Sequence, residues 1–433
     1  MRRGLCLSFL GLALLGGCDD DDDTGANGGA DTGATADGAT GDAAPGDAAP
    51  MADMGPDANG CHAVVEPGAD AVTRLQTALI EASAGDTVCL AAGTFELDTE
   101  ISVAVDGLTL RGAGPEATIL DFSGQTVGAN GVLLTGDGIT VEDFGVRNSA
   151  GDGVRAAGVD GITFRRVHVV WTTPAESTNG AYGLYPVESS NVLVEECRVE
   201  GASDAGIYVG QSHNILVRNN EATGNVAGIE IENSTDAEVV DNHVFGNTGG
   251  ILVFTLPQLP MKDGMRCKVH QNRIIENNLP NFGRAGSIVS LVPGGTGAFI
   301  LAADDTEFTG NEVRGNETTG LVIISYLTDI LGAYDDEAYD PYSEGSWVHD
   351  NTFSDNGDMP QGLLGGLGLQ VPLPDILSDG CWAEGQPEDA ARRTCIQEDA
   401  ASFRDIDLCG DMTASDDLAP YDCEHDAQST IDL

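Results

Sequence analysis

The sequence predicts an all-β fold, a right-handed parallel β-helix with a short capping helix at its amino-terminal end. Three observations carry the prediction. A glycine followed by an alternating apolar strand recurs along the chain. A second apolar strand, which comes to end in asparagine, recurs with it. The 58 glycines and 5% aromatic residues suit a turn-rich repeat rather than a helical one.

The glycines are Gly131, Gly153, Gly183, Gly206, Gly228, Gly250, Gly297 and Gly320, at intervals of 22, 30, 23, 22, 22, 47 and 23 residues. The second pattern runs through Phe144, Val167, Cys197, Asn220, Asn242, Asn272, Asn311 and Asn351. A base period of 22 or 23 fits one coil of short strands and tight turns. Coils stack at the ~4.8 Å parallel-strand spacing, so about eight or nine of them make a rod of roughly 40 Å. A leucine-rich repeat has a similar period but needs a leucine pattern that is absent. The asparagines read as structural: the residue tolerates left-handed backbone, and its amide can bond the same residue one coil along. Cys197 occupies that rung, so it is expected buried and free; Cys267 lies roughly three coils away, about 14 Å, beyond the ~7 Å reach of a disulfide.

Residues 1–17 read as a lipoprotein signal. Arg2 and Arg3 precede the apolar run Leu5–Leu15, which is too short to span a bilayer. Leu15-Gly16-Gly17-Cys18 follows, with Cys18 as the lipidated residue. Residues 18–60 form a tether that carries eleven aspartates and no Lys or Arg, and such a segment stays extended and disordered. The expected location is the bacterial cell envelope, with the membrane reached through the lipid anchor, on the outer membrane or the periplasmic face.

The β-helix with its cap is expected over 61–356. Val72, Leu75, Leu79 and Ala82 share one face of a helix that would cover the open end of the first coil. Residues 357–433 read as a loop-rich tail packed along or over the far end. An oxidising compartment makes Cys61 and Cys89 a candidate disulfide pair. Cys381, Cys395, Cys409 and Cys423 are candidates for two more, in any of three connectivities.

The net charge of −51 argues against nucleic acid as a partner. Neutral sugars, cationic partners or calcium remain compatible with it. Acids such as Asp335, Asp336 and Asp340 could hold calcium or simply be solvated. The seven histidines show no metal-ligand spacing, and no metal site is assigned.

Departures from the period locate insertions. Those at Trp171–Tyr182 and Leu279–Thr296 leave the rod at one corner, and those at Thr255–Arg266 and Tyr326–Ser346 at the opposite one. Together they would wall a groove over the glycine-strand sheet. Alternation places Arg155, Tyr185, Tyr208, Glu230 and Leu252 outward on that sheet, then Val187, Gly210, Glu232 and Phe254. Tyrosine faces pack on sugar rings, and carboxylates accept hydroxyl hydrogen bonds. The candidate substrate-binding set is therefore Arg155, Tyr185, Asp204, Tyr208, Gln211, Glu230 and Phe254. Glu230 and Glu232 share a face and could act as acid and base. A solvated sheet face without chemistry is the competing reading.

The segment Tyr182-Gly183-Leu184-Tyr185-Pro186-Val187-Glu188 resembles the active-site strand of alginate (mannuronan) C5-epimerases, β-helix enzymes related in fold to pectate lyases. The family motif is Tyr-Gly-Phe-Asp-Pro-His-Glu. Tyr182, Gly183, Pro186 and Glu188 match, but Tyr185 and Val187 replace the catalytic Asp and His, so epimerase activity is not carried over. Tyr182 and Glu188 stay as catalytic candidates beside Glu230 and Glu232. The chain also resembles a family of exported parallel β-helix repeat proteins of uncharacterised function, over about residues 61–430. The segments are Gly183–Ser189, Ser203–Ser212, Ala227–Ser234, Asn247–Phe254, Pro280-Asn281-Phe282 and Pro293–Gly297. That resemblance implies an exported c-type cytochrome as a partner. Three readings follow: a surface-tethered polysaccharide-binding module, a polysaccharide lyase or hydrolase, and a scaffold for another envelope protein.

Overall fold

A computed structural model describes residues 60–366, 368–383 and 389–433. The signal, Cys18 and the tether lie outside the described residues. The fold is a parallel β-solenoid. Eleven strands form one face, in chain order from Thr99–Val103 to Phe403–Asp405. Twenty strands form the rest of the wall. The long strands Ile139–Arg147 and Asp160–Val170 are shared by two faces, because left-handed Asp143 and Arg166 bend them around a corner. Among the described residues no helix is long and apolar enough to cross a membrane.

Register follows from one inward column. Ile101, Val132, Val154, Leu184, Ile207, Ile229, Ile251, Ala298, Leu321, Ile376 and Phe403 pair coil upon coil through all eleven strands. Each is buried in the central core. A one-residue slip would turn the whole column outward, so register is strongly specified. The repeated glycines are a steric requirement. A Cβ at Gly183 would stand 2.2 Å from Val199 and 2.5 Å from the Gly206 carbonyl.

The asparagine ladder forms as expected, with one correction. The Asn220 side-chain oxygen accepts from the Cys197 amide at 2.9 Å, and Asn220 is served in turn by Asn242, then Asn272, Asn311 and Asn351. The left-handed residue is not the asparagine but the one before it: Asn219, Asp241, Gln271, Gly310 and Asp350 all have positive φ. The turn thus points the next side chain inward, where its amide replaces missing backbone partners. A second ladder, Asn225, Asn247, Asn277, Asn316 and Asn356, follows the same rule five residues later. Sequence reading missed it, although the spacing of five is constant. Ser189, Ser212 and Ser234 repeat the device at a third corner.

The ends are closed. The helix Ala71–Glu81 buries Ala71, Leu75, Ala78 and Leu79, with Val72 half-buried against the core. Gln76 on this helix bonds both the carbonyl and the amide of Ser102, at 2.9 and 3.1 Å, on the first strand of the eleven-stranded face. The ladders continue past 356: Ile376–Ser378, Cys395–Gln397 and Phe403–Asp405 pair in parallel with the preceding coils. The rod therefore holds more coils than the eight or nine read from the glycines. The last strands lack the Gly signature and so were invisible to it. The disulfides are Cys61–Cys89, Cys381–Cys409 and Cys395–Cys423, which resolves the tail connectivity. Cys197 and Cys267 are buried and free.

Candidate functional site

The insertions meet in the expected pairs. Arg284, in the second, donates to the carbonyls of Ser177 and Asn179 in the first, at 3.2 and 2.9 Å. At the opposite corner Lys262 pairs with Asp336 at 2.7 Å, and the Tyr339 hydroxyl donates to the Thr255 carbonyl at 2.7 Å. Asp336 is thus engaged within the protein. Among the described residues no group of three or more His, Cys, Asp or Glu is arranged to hold a metal ion.

The groove between these loops is not the open trough that alternation predicts. Tyr208 is 4% exposed, Glu230 1% and Glu232 9%, and Val187, Leu252 and Phe254 are buried too. Alternation does turn them away from the central core. However, the loops fold over the outward face and make a second apolar cluster there, which includes Tyr208, Leu252, Phe254, Val289, Val292, Phe299 and Tyr326. Loop coverage depends on tertiary contacts that a period of two does not encode.

The polar part of this face is assembled from three adjacent strands, Tyr182–Val187, Ala205–Gly210 and Ala227–Glu232. Tyr182, Tyr185 and Tyr208 form a triangle with ring centroids 4.5, 4.7 and 5.0 Å apart. Ala205 and Ala227 continue the column that Tyr182 starts, and their small side chains leave room for its ring. The Arg155 guanidinium lies 4.9 Å from the Tyr185 ring centre, a cation–π contact. Gly210 matters for a similar reason: a Cβ there would stand 2.2 Å from the Tyr208 hydroxyl.

The Tyr208 hydroxyl donates to Glu232 Oε1 at 2.7 Å, and the Gln211 amide donates to both, at 3.2 Å each. Glu230 sits between Tyr208 and Leu252 in register. Its Oε2 is buried without a hydrogen-bond partner among the described residues, as is Arg155 Nε. Buried polar atoms of this kind are few in native proteins.

Electrostatics follow from withdrawal of these acids from water. Burial, reinforced by the charges of Glu232 and Asp152, pushes Asp204 up to about 8. Burial pushes Asp152 up to about 6, against the pull of Arg155, the Tyr182 amide and Arg284. Burial and then the neighbouring Glu232 and Asp204 hold Glu230 well above the usual carboxylate range. Glu232 is raised by burial and held back by its bonds from Tyr208 and Gln211. Burial thus favours the protonated, donating form of Asp204, while the Tyr208 hydroxyl donates to Glu232.

Of the sequence candidates, Arg155, Tyr182, Tyr185, Asp204, Tyr208, Gln211, Glu230 and Glu232 come together. Phe254 lies one strand beyond Glu232, on the apolar side. Glu188 does not join them: it is an exposed, left-handed corner residue (φ 50°). Two members were missed. Asp152 occupies the position before a strand glycine, filled from Ala205 onward by small residues. Arg284 is the one cation in its insertion.

The right handed beta helix region family matches residues 106–258 and 178–333, more than half of the chain. The chain belongs to that family, whose description also fixes the hand of the solenoid. No curated protein matches it by sequence. Among solved structures it is similar to the mannuronan C-5 epimerase A-module of Azotobacter vinelandii, at 15% identity over 73% of this chain and 91% of that one, with a TM-score of 0.44. It is also similar to an α-1,3-glucanase catalytic unit from Streptomyces thermodiastaticus, at 16% identity over 76% and 52%, with a TM-score of 0.45. A third is an alginate lyase from Paenibacillus, at 13% identity over 69% and 98%, with a TM-score of 0.35.

Proposed function

We propose that this protein is an envelope-anchored β-helix that binds a polysaccharide through the tyrosine–carboxylate cluster on its outer sheet. One observation carries the reading: three packed tyrosines stand beside buried Glu230 Oε2 and Arg155 Nε, which lack partners among the described residues. A sugar ring stacks on Tyr182 and Tyr185, and its hydroxyls bond Asp204 and Gln211 above that buried pair. Half-buried Tyr182, Tyr185, Asp204 and Gln211 form the reachable part, which suits one or two sugar units rather than a long chain lying flat. The anionic body favours a neutral glycan. Anchoring rests on the signal, Cys18 and the acidic spacer.

A glycan array with the full-length chain tests this. Binding to neutral glycans is expected, reduced at least tenfold in Tyr185→Ala, with the folded circular dichroism spectrum retained. Absence of binding, or full binding in that variant, contradicts it.

A second reading, a lyase or hydrolase, is favoured by the protonated Asp204 beside the Tyr208–Glu232 pair, an acid and a base on one surface. Incubation of any bound glycan followed by product analysis decides it. Shortened or unsaturated products support the enzyme, and an unchanged glycan leaves the binding module.

A further inference from the structure

The outward face changes character along the rod. Beyond Glu232 the same columns continue as Phe254, Leu301 and Ile324, and beyond Glu230 as Leu252, Phe299, Val322 and Leu377. All of these but Leu252 floor a cavity of about 100 Å³ whose seventeen lining residues are all apolar. Three short helices wall it: Ile288–Leu291, Thr328–Leu331 and Gly362–Gly366. Each sets an exposed apolar residue at the rim, namely Leu291, Ile330 and Leu363. Exposed apolar rims on a chain this acidic mark a surface meant to be covered.

Two facts define the occupant. The cavity is concave and entirely apolar, with room for roughly seven to ten water-sized groups, so an alkyl chain of about eight carbons fills it. It also adjoins the tyrosine–carboxylate cluster through packed side chains: Phe254, on its floor, pairs with Glu232, and one apolar cluster joins Tyr208 to Phe254 and Phe299. The chain's net charge of −51 disfavours an anionic headgroup. We infer that the cavity takes the acyl chain of a neutral glycolipid whose sugar sits at the tyrosine cluster. The headgroup assignment rests on the saccharide reading; the acyl site does not.

The test uses the full-length chain and the neutral fluorophore 1-aminoanthracene, displaced by alkyl glucosides below their micelle concentrations. Saturable probe binding is expected. Displacement should strengthen about fourfold per added methylene and level off near eight to ten carbons. Octyl glucoside should displace at least tenfold better than octanoate. The variant Leu291→Asp/Ile330→Asp changes only exposed rim residues and should lose probe binding while its unfolding midpoint holds. Absence of saturable probe binding, potency independent of chain length, or an unaffected rim variant overturns the acyl site, and glycan binding on the array would then stand alone. Equal potency of octanol and octyl glucoside overturns the sugar-bearing headgroup and leaves the acyl site in place.

Discussion

Gly210 and Tyr208 work as one unit: the bare glycine lets the phenol lie over its own strand and reach Glu232. Gly210→Ala should therefore push the ring off Glu232 and weaken saccharide binding at least tenfold while the rod stays folded; calorimetric titration with circular dichroism checks both. Asp204 supplies a second prediction. Its folded value of about 8 lies above its ordinary 3.8, so the folded state binds the proton more tightly than the unfolded chain. The resulting stabilisation is complete below about pH 4 and is lost as pH rises toward 8. Thermal midpoints should fall between pH 5 and pH 8, and the fall should be shallower in Asp204→Asn; an identical slope in both proteins contradicts the raised Asp204 value. Tyr185, Tyr208 and Glu230 were legible as outward residues because alternation alone decides the face. Their burial was not legible, because it depends on loops from Trp171–Tyr182 and Leu279–Thr296 closing over them.

The coil is the element that the sequence exposes most directly. Its corners follow one rule, a left-handed residue followed by an inward side chain that bonds the next coil, seen at Asn219–Asn220, Gly246–Asn247 and Gln211–Ser212. Asn242 illustrates the cost of breaking it. It accepts from the Asn220 amide, and its own amide donates to the Val217 carbonyl and to Asn272. Asn242→Ala strands these buried partners and should cost about 3 kcal/mol, measured by urea unfolding. A loss under about 1 kcal/mol would show that the ladder is ornamental. The first ladder was readable from its period. The second, at Asn225 and its successors, has the same spacing but falls in turn-like contexts, Gly-Asn at Asn225, Asn247 and Asn316, that read as loop.

For the whole molecule, the problem is how a rod with two open ends avoids growing by edge pairing. The amino-terminal helix answers at one end, with Gln76 on the Ser102 backbone. At the other, irregular coils stapled by Cys381–Cys409 and Cys395–Cys423 take over. The chain end then runs back along the wall, where the Ile431 amide donates to Glu238. Each tail disulfide spans 28 residues, so Cys381→Ala/Cys409→Ala should cost about 3 kcal/mol, read as a lower urea midpoint. Composition and period gave the rod, but the tail coils carry no Gly signature and appear only through their pairing. The candidate site likewise lies where the period fails, since insertions fold over a plain sheet face and leave a polar cluster beside an apolar cavity. This cluster, and not the exposed corner residue Glu188 of the epimerase-like strand, is the proposed binding site. Calorimetric titration of one array-identified oligosaccharide against Gln211→Ala and Glu188→Gln separates the two. At least a tenfold loss of affinity is expected in Gln211→Ala and none in Glu188→Gln; the reverse pattern, or unchanged affinity in both, overturns the cluster as the site.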